Sequence, residues 1–409
     1  DKNLLRSRTT VTAFRRFTVF HASRLRPFTH HGFLEAALSM KNEQPRIAIV
    51  HDYLNQRGGA ERVVSVMHRM FPDAPIFTSI VDKDSLFDEL KDADIRHTWM
   101  QRLPGVLRHF KKYVMLYPKA FESIKLDGYD IILSSSSAFA KGVIKPLASL
   151  HVCYCHTPMR FAWDYERYME KEGVGSAAKR FLPILVKRLK EWDMKTANRP
   201  DFYIANSSVV KRRIKEFYGA DSVIIPPPVD VGRFKIGQPE GYYLIVSRLN
   251  AYKRIELAVE AFSMLKSKLK VVGDGPFRAA LEALAAPNVE FLGRLADDDT
   301  AYVYSRCRAV IFPGEEDFGI VPLEANAAGR PVIAYRAGGA LDTIIDGMNG
   351  IFFDEPHAAS LADAVRRMER IHGDFDATAI RAHAMGFSNE VFMKRLGEFI
   401  DAKYKGRTW

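Results

Sequence analysis

The sequence predicts an α/β protein built from two doubly wound parallel sheets that face each other across a cleft. Three observations lead to this prediction. From Arg46 onward, short β-branched runs alternate with stretches of helical period, which is typical of parallel sheets covered by helices on both faces. Residues 224–241, rich in proline and glycine, interrupt the alternation once, and it then restarts. The 409 residues, 47% of them hydrophobic, suffice to bury two cores.

The individual elements follow from the periodicity of the apolar residues. In the first half the predicted strands are 46–51, 76–80, 129–134, 151–156 and 202–206, with main helices at 60–71 and 176–196. In the second half the predicted strands are 242–248, 270–273, 289–292, 309–313, 331–334 and 351–353. Residues 224–241 contain three consecutive prolines, which neither a strand nor a helix accommodates, so they are predicted to be a linker. The predicted domains are residues 40–235 and 236–387.

Charge is distributed unevenly along the chain, whose formal net charge is +11. Residues 40–238 carry 32 Lys and Arg against 23 Asp and Glu, whereas residues 239–409 carry 21 against 24. The first half is therefore expected to meet an anionic partner. The sequence has no zinc-finger spacing and no RNA-recognition signature, so nucleic acid is not the expected partner. Three cysteines are too few for a disulfide framework and favour a reducing, cytoplasmic location.

Two basic amphipathic stretches make an anionic membrane surface the expected partner. Residues 102–121 and 179–192 interleave large apolar side chains with lysines and arginines, as do helices that lie among lipid headgroups. The alternative is an ordinary amphipathic helix whose apolar side enters the protein core. No apolar run of the sequence approaches the ~20 residues that span a bilayer. The expected location is therefore peripheral, on the inner face of the cytoplasmic membrane.

Residues 1–39 do not share the pattern of the rest of the chain. They are rich in Arg, Ser, Thr and Phe, poor in acids and without a sustained period. A transit peptide has this composition, but so does sequence upstream of a true start at Met40. The first predicted strand begins only at Arg46, which favours the second interpretation, and the fold prediction leaves this segment out.

Several glycines and cations are predicted at the carboxyl ends of strands, where doubly wound sheets bind ligands. Gly58 and Gly59 lie between the first strand and a helix, where backbone amides can approach a phosphate, although such pairs are also common in plain turns. Arg248 and Lys253 follow the first strand of the second half. A bidentate guanidinium and a point charge suit a diphosphate, and two solvated loop cations are the alternative. Gly273, in VVGDGP, follows the next strand.

The most specific motif is FPGEEDFGIVPLEANAAGRPVIAY, in which a predicted strand runs into an acidic loop and then a helix. On one continuous helix the carboxylates of Glu316 and Glu324 would stand ~12 Å apart. That is too far to flank one glycosidic bond but suits two hydroxyl groups of one long ligand, such as the sugar and the ribose of a sugar nucleotide. For Glu315 and Asp317 the helix dipole is a sufficient explanation, because it favours acidic side chains at a helix start. Four backbone amides at this helix start are predicted to meet an anion, those of Phe318, Gly319, Ile320 and Val321.

Metal binding is not expected from the sequence. Residues 297–299, three consecutive aspartates, resemble an Asp-x-Asp metal motif, but they precede a helical stretch, where they would cap the helix. Cys153 and Cys155 alternate along one strand without a second pair of ligands. The chain also lacks G-x-G-x-x-G and the P-loop motif, which excludes the usual dinucleotide oxidoreductases and P-loop NTPases.

These motifs together resemble the family 4 retaining glycosyltransferases, which have the two-domain GT-B fold. The resemblance rests on Gly58-Gly59 and on the segments VSRLNAYKR, GDGP, FLGRL and EDFGIVPLEANAAGRPVIA, and it covers most of residues 45–405. The segments DIILSSSSAFAKG and CYCHTPMRFAWD are further similar to bacterial mannosyltransferases that act on lipid-linked saccharides in exopolysaccharide or O-antigen assembly. The resemblance implies transfer of α-mannose from GDP-mannose to a polyprenyl-diphosphate-linked acceptor, without a metal cofactor.

The resemblance also implies roles for the matching residues. Arg248 and Lys253 would hold the donor diphosphate, Glu316 would bind the transferred sugar and Glu324 the ribose, while His156 would orient the sugar at the reacting centre. The resemblance further implies that residues 388–409 cross back onto the first domain. Apart from the resemblance, Ser136 and Asp164 are candidates for acceptor contacts, and the alternatives are a plain loop for Ser136 and a structural role for Asp164. The donor-binding set is completed by Gly58, Gly59, Gly273, Phe318, Gly319, Ile320 and Val321.

Two classes of alternative remain at this point. Within enzymes, the chain can be a transferase that uses a UDP-sugar, or a sugar-nucleotide epimerase of the same fold. Outside enzymes, it can be a two-domain protein that closes on a ligand without chemistry. A relative without activity would be expected to have lost Glu316, Lys253 or His156, and the sequence retains all three.

Overall fold

The structure is a computed structural model that describes residues 45–164 and 176–406. The predictions for residues 1–39 lie outside the described residues. Two parallel sheets dominate the architecture, as the alternating sequence pattern predicts, and helices cover both faces of each sheet.

The first sheet has seven strands in the order β3-β2-β1-β4-β5-β6-β7, and every neighbouring pair is parallel. The register of the central pair places Ile49 opposite Leu133. Its strands are β1 (Ile47–His51), β2 (Ile76–Thr78), β3 (Ile95–His97), β4 (Ile131–Ser136), β5 (Leu150–Cys155), β6 (Phe202–Ala205) and β7 (Ser222–Ile224).

The second sheet has six strands in the order β10-β9-β8-β11-β12-β13, again all parallel. Its strands are β8 (Tyr242–Val246), β9 (Lys268–Val272), β10 (Val289–Gly293), β11 (Ala309–Phe312), β12 (Val332–Tyr335) and β13 (Gly350–Phe353). Each strand predicted in either half is present within a few residues of its predicted bounds. The edge strands β3 and β7 were not predicted, because each is only three residues long and mostly exposed and so lacks the longer apolar run that marks a buried strand.

The helices connect the strands and lie over the two faces of each sheet. Those of the first domain are α1 (Gly59–Met70), α2 (Val106–His109), α3 (Tyr117–Glu122), α4 (Arg160–Trp163), α5 (Ser176–Lys195) and α6 (Ser208–Tyr218). Those that follow are α7 (Ile255–Ser263), α8 (Arg278–Leu284), α9 (Asp297–Arg306), α10 (Val321–Ala327), α11 (Ala340–Thr343), α12 (Ala358–Ile371), α13 (Ala377–Met385) and α14 (Asn389–Lys405).

Alternate residues of each central strand enter opposite cores. In β1, Ile49 packs into the core on one face, whereas Ala48 and Val50 pack into the core on the other. In β8, Tyr243 faces one core and Leu244 the other. Because both faces are covered, the strands read as continuous apolar runs, and polar side chains concentrate at the strand ends.

The chain crosses between the domains twice at neighbouring points. The predicted linker makes the first crossing, and it is not a solvated tether, because Val231 and Phe234 are buried in a core of the second domain. The second crossing leads into α14, and the backbone amide of Val229 donates to the carbonyl of Phe387 at 2.9 Å. Helix α14 then returns to the first domain, where its apolar side joins the core beside α1.

The basic stretch 102–121 does not form one continuous helix. Gly105, with φ +60°, precedes α2, a 3-10 turn spans Phe110–Leu116, and α3 begins with Pro118 in its first turn. Val106 and Phe121 are buried in the first-domain core, as the alternative interpretation predicts. The basic side chains of the stretch face solvent, as does 40% of Leu107. Across the described ranges, no helix combines the length and the apolar character needed to cross a bilayer.

We expect α14 to hold the first domain together. Phe392 is buried between α1 and the sheet, with its ring edge-on to Tyr154 at 5.6 Å, so Phe392→Ala is expected to lower the free energy of unfolding by about 3 kcal/mol. Lys394→Ala, on the exposed side of the same helix, is the matched control and is expected to change it by less than about 0.5 kcal/mol. Urea denaturation of both variants measures the difference, and equal stabilities would contradict this role of α14.

Candidate functional site

The candidate site lies where the carboxyl ends of the strands of both domains approach each other. Asp52, directly after β1, organises the first-domain side. Its carboxylate is buried and accepts hydrogen bonds from four successive backbone amides of the loop after β4, at 2.5–3.1 Å. The amides belong to Ser137, Ala138, Phe139 and Ala140. This loop is therefore held against the end of β1.

His156 follows β5 and is almost fully buried at this edge. Its ring nitrogen Nε2 lies 2.8 Å from the hydroxyl of Ser135, and its backbone carbonyl accepts a hydrogen bond from the side-chain amide of Asn206 at 3.0 Å. Burial, assisted by the charge of His51, lowers the pKa of His156 to about 3. The imidazole is therefore neutral at physiological pH.

A buried ion pair of Glu61 and His51 stands behind His156. The carboxylate of Glu61 lies 3.9 Å from His51 Nε2 and accepts a hydrogen bond from the side chain of Gln56 at 2.9 Å. Burial acts to lower the pKa of His51, but the carboxylates of Glu61 and Asp52 outweigh it and raise that pKa. Burial acts to raise the pKa of Glu61, but His51 and Gln56 outweigh it and lower that pKa. Both shifts favour the charged form of the side chain concerned.

Neither partner of this pair was identified from the sequence. Only its position could have indicated His51, which is the last residue of β1. Arg248 was singled out because it lies at the same kind of strand end, just after β8. Gly58 belongs to this arrangement, since a Cβ at residue 58 would lie 2.6 Å from a carboxylate oxygen of Glu61. Gly59, by contrast, begins α1 with open space on the side where a Cβ would lie.

On the second-domain side the structure brings Lys253 and Glu316 together. The ammonium Nζ of Lys253 lies 2.5 Å from Glu316 Oε1, and both side chains are mostly buried. Gly314 permits this contact, because a Cβ there would lie 2.7 Å from the carbonyl oxygen of Lys253. Arg248 is exposed, and its Nη1 reaches Gln56 of the first domain at 3.4 Å. The predicted donor-binding cations thus lie at the border between the domains.

The backbone before α10 has the features that the acidic motif predicts. Gly319 has φ +82°, and a Cβ at this residue would lie 2.6 Å from the ring of Phe312, so only glycine is accommodated. Phe318 is buried in the core of the domain. The backbone amides of Gly319, Ile320 and Val321 have no acceptor among the described residues.

Glu324 has two protein partners that the sequence did not indicate. Its Oε2 accepts a hydrogen bond from the hydroxyl of Tyr304 at 3.0 Å, and its Oε1 lies 3.2 Å from a guanidinium nitrogen of Arg233. Burial and the neighbouring carboxylate of Glu324 raise the pKa of Tyr304. Glu324 is thereby oriented by its own protein, and each of its oxygens keeps a further lone pair for a ligand hydroxyl.

The domains are joined by ion pairs at the same border. Asp317 receives the guanidinium of Arg213 and lies 3.5 Å from that of Arg160, both from the first domain. The backbone amide of Ser208, at the start of α6, donates to Asp342 at 2.8 Å. The dipole explanation of Asp317 is therefore incomplete, because its carboxylate links the two domains.

The remaining predicted residues lie at less open positions. Ser136 is buried, and its hydroxyl accepts a hydrogen bond from the amide of Lys141 at 3.2 Å. Asp164 directly follows α4 and adjoins residues outside the described part of the chain. Gly273 has φ +127°, and a Cβ there would lie 1.8 Å from the carbonyl oxygen of Ser247, which ties the end of β9 to the end of β8. Their roles in ligand binding stay predictions.

The three consecutive aspartates do not cap their helix. Residue Ala296 precedes α9 without a side-chain hydrogen bond, and the aspartates lie in its first turn, where the dipole favours them. The capping prediction was wrong because the helix begins one residue earlier than the pattern indicates. Asp297 instead pairs with Arg233 at 3.0 Å. Within residues 45–164 and 176–406, no three His, Cys, Asp or Glu side chains form a group that could hold a metal ion.

Comparison with known proteins identifies both domains. Residues 57–233 match the family model described as Glycosyltransferase Family 4, and residues 231–380 match the model described as Glycosyl transferases group 1. The prediction of the family thus receives support from each half of the chain separately.

Curated relatives match nearly half of the chain. The D-inositol 3-phosphate glycosyltransferase of Actinosynnema mirum is 32% identical over 225 residues, which is 46% of this chain and 54% of the relative. The O-antigen chain mannosyltransferase C of Escherichia coli is 26% identical over 208 residues, with the same two shares. The chain spans about half the length of the curated relatives it matches.

A solved structure agrees over nearly the whole chain. Anabaena Alr3699/HepE, crystallised in complex with UDP-glucose, superposes with a TM-score of 0.66 at 19% identity and covers 88% of this chain and 100% of its own. This similarity confirms the predicted two-domain α/β fold. Since the two family models together match residues 57–380, the chain belongs to the glycosyltransferases of the GT-B type.

Proposed function

We propose that this protein is a retaining hexosyltransferase that moves a sugar from a nucleoside diphosphate to an acceptor bound in the cleft. The observation that carries the proposal is the Lys253–Glu316 pair, with Nζ and Oε1 2.5 Å apart, beside the amides at the start of α10 that have no acceptor within the described part of the chain. The cation and the amides at this strand edge suit the phosphates of a sugar nucleotide, and the carboxylate suits the hydroxyls of its sugar.

Charge complementarity supports a diphosphate at this place. The ammonium of Lys253 has three N–H donors and uses one on Glu316, so two remain for phosphate oxygens. Arg248 adds a bidentate guanidinium from the same domain. Gly59 leaves open space at the start of α1 in the opposite domain, where backbone amides and the helix dipole favour negative charge. Together these groups would stabilise the diphosphate as it leaves.

The proposed reaction breaks the bond between the anomeric carbon and the phosphate oxygen and forms a bond from that carbon to an acceptor hydroxyl. The proton of the hydroxyl passes to the departing phosphate, whose negative charge Lys253 and Arg248 reduce. None of the matched motifs supplies a carboxylate nucleophile, so we propose displacement on one face of the sugar. The two cations provide the charge stabilisation in this scheme, and it requires no metal ion.

GDP-mannose is the proposed donor and a lipid-linked saccharide the proposed acceptor. The similarity to an O-antigen chain mannosyltransferase supports mannose. The basic surface of residues 102–121, with an exposed Leu107, supports an acceptor presented at an anionic membrane. A UDP-sugar is the second candidate for the donor, because the similar fold of HepE was crystallised with UDP-glucose.

Calorimetric titration of the protein with GDP, GDP-mannose, UDP and UDP-glucose tests the donor. We expect the guanine pair to bind at least tenfold more tightly than the uridine pair, with affinities unchanged by EDTA. Selective binding of the uridine pair would replace mannose by another sugar while keeping the site. Binding of neither pair would contradict the proposed function.

Removal of the central cation tests the site. Lys253→Ala is expected to lower kcat/KM about 100-fold or more, because a preorganised charge that stabilises the leaving group is lost. Glu316→Ala is expected to have an effect of similar size on transfer. Lys145→Ala is the matched control, since Lys145 makes a partly buried ion pair with Asp201 at 3.0 Å near the opposite, amino-terminal end of β5. Folded variants of Lys253 and Glu316 with wild-type turnover would contradict the assignment.

Charge reversal tests the membrane surface. Replacing both Lys111 and Lys112 with Glu is expected to weaken binding to phosphatidylserine-containing vesicles roughly 30-fold or more, because each basic residue near the surface contributes about 1 kcal/mol. The double replacement of Lys266 and Lys268, exposed on the second domain, provides the control and is expected to leave vesicle binding unchanged. Equal vesicle binding by wild type and by the first variant would refute the proposed surface.

A further inference from the structure

A continuous set of buried polar side chains runs through the first domain from Glu61 to His156. Glu61 lies beside His51, His51 beside Ser135, and Ser135 beside His156, at 3.9, 3.1 and 2.8 Å respectively. All four side chains are at most 9% exposed, so solvent does not reorganise them. They come from α1, β1, β4 and the end of β5, which are brought together only by the order of the sheet.

We propose that Ser135 and His51 are positioning residues that fix His156 in the tautomer with its proton on Nδ1. His156 then meets the donor sugar as a hydrogen-bond donor with a defined proton position. The functional part of this inference rests on the proposed transfer reaction, whereas the tautomer itself does not.

Hydrogen-bond geometry determines the direction of each contact. His51 Nδ1 lies 3.0 Å from the backbone carbonyl oxygen of Ser135, which can only accept, so this nitrogen carries a hydrogen. The same N–H also points to the Ser135 hydroxyl oxygen at 3.1 Å, which therefore accepts from it. Among the described residues, the hydroxyl hydrogen of Ser135 has one remaining acceptor, Nε2 of His156. This nitrogen is therefore unprotonated, and the proton of the neutral ring is on Nδ1.

The Glu61–His51 pair supports the direction of the hydrogen bond from Ser135 to His156. Because Nδ1 of His51 donates to the backbone carbonyl of Ser135, it does not serve as an acceptor, and the raised pKa of His51 beside Glu61 also favours a protonated ring. The positive charge of His51 also helps to keep His156 neutral. Gly58 is needed for this arrangement, since a side chain at residue 58 would collide with the carboxylate of Glu61.

A second serine–histidine pair on the same strands provides a matched control. The hydroxyl of Ser134 lies 2.8 Å from Nε2 of His151, and both side chains are fully buried. Adjacent strand residues point to opposite faces of the sheet, so this pair lies on the face away from Ser135. Ser134→Ala thus removes the same chemical contact as Ser135→Ala without touching His156.

The tautomer is measured by ¹⁵N NMR of the histidine-labelled, ligand-free protein, with the signals of His156 assigned by their loss in His156→Gln. We expect wild type to show a protonated Nδ1 and an unprotonated Nε2. In Ser135→Ala we expect a mixture of tautomers, and in Ser134→Ala the wild-type pattern. A protonated Nε2 in wild type overturns the proposal, and this holds even if a variant fails to fold.

Turnover tests the consequence for the reaction. Ser135→Ala is expected to lower kcat about tenfold with the dissociation constant of the nucleoside diphosphate unchanged, whereas Ser134→Ala is expected to stay within twofold of wild type. Wild-type kcat in Ser135→Ala would overturn the positioning role. If no sugar nucleotide binds to wild type, the proposed function fails, but the NMR result still decides the tautomer.

Discussion

Burial of both faces of two parallel sheets is the constraint on which the rest of this structure depends. Strands such as β1 and β8 send alternate residues into cores on opposite sides, so polar side chains cannot stand along the strands without a partner. Polar side chains therefore lie mainly at the strand ends. The carboxyl ends of the two sheets approach each other. His51, Asp52, His156, Arg248 and Glu316 all lie at or just beyond such ends.

Charges buried in this framework are paired in two different ways. Lys141 is held by Asp193 at 3.0 Å, and Asp193 also accepts hydrogen bonds from Trp163 and Tyr218, so this pair is fully enclosed within the first domain. Lys253 and Glu316 are paired at the border between the domains and are partly exposed. An enclosed pair of the first kind stabilises one packing arrangement. In a partly exposed pair such as Lys253–Glu316, a bound ligand can replace part of the contact between the two side chains.

The border between the domains is itself polar. Asp317 holds two arginines of the first domain, Asp342 holds the start of α6, and Arg248 reaches Gln56. Polar contacts between domains break and re-form at lower cost than an apolar interface. Asp317 adjoins Glu316, and Gln56 contacts Glu61. A change in the distance between the domains would therefore alter the contacts that hold Glu316 and Glu61 in place.

The sequence by itself determined the fold class, the position of nearly every strand and the strand ends that border the candidate site. These depend on local periodicity and on glycines such as Gly319, whose conformation excludes other residues, so neighbouring residues carry the information. Only the tertiary structure decided which of these residues meet. Lys253 pairs with Glu316, Glu324 with Tyr304 and Arg233, and Ser135 with His156, because strand order brings together residues that lie 20 to 91 positions apart. The short edge strands and the buried Glu61–His51 pair stayed hidden for the same reason, since their stability comes from neighbours in space, and a single sequence does not record those neighbours.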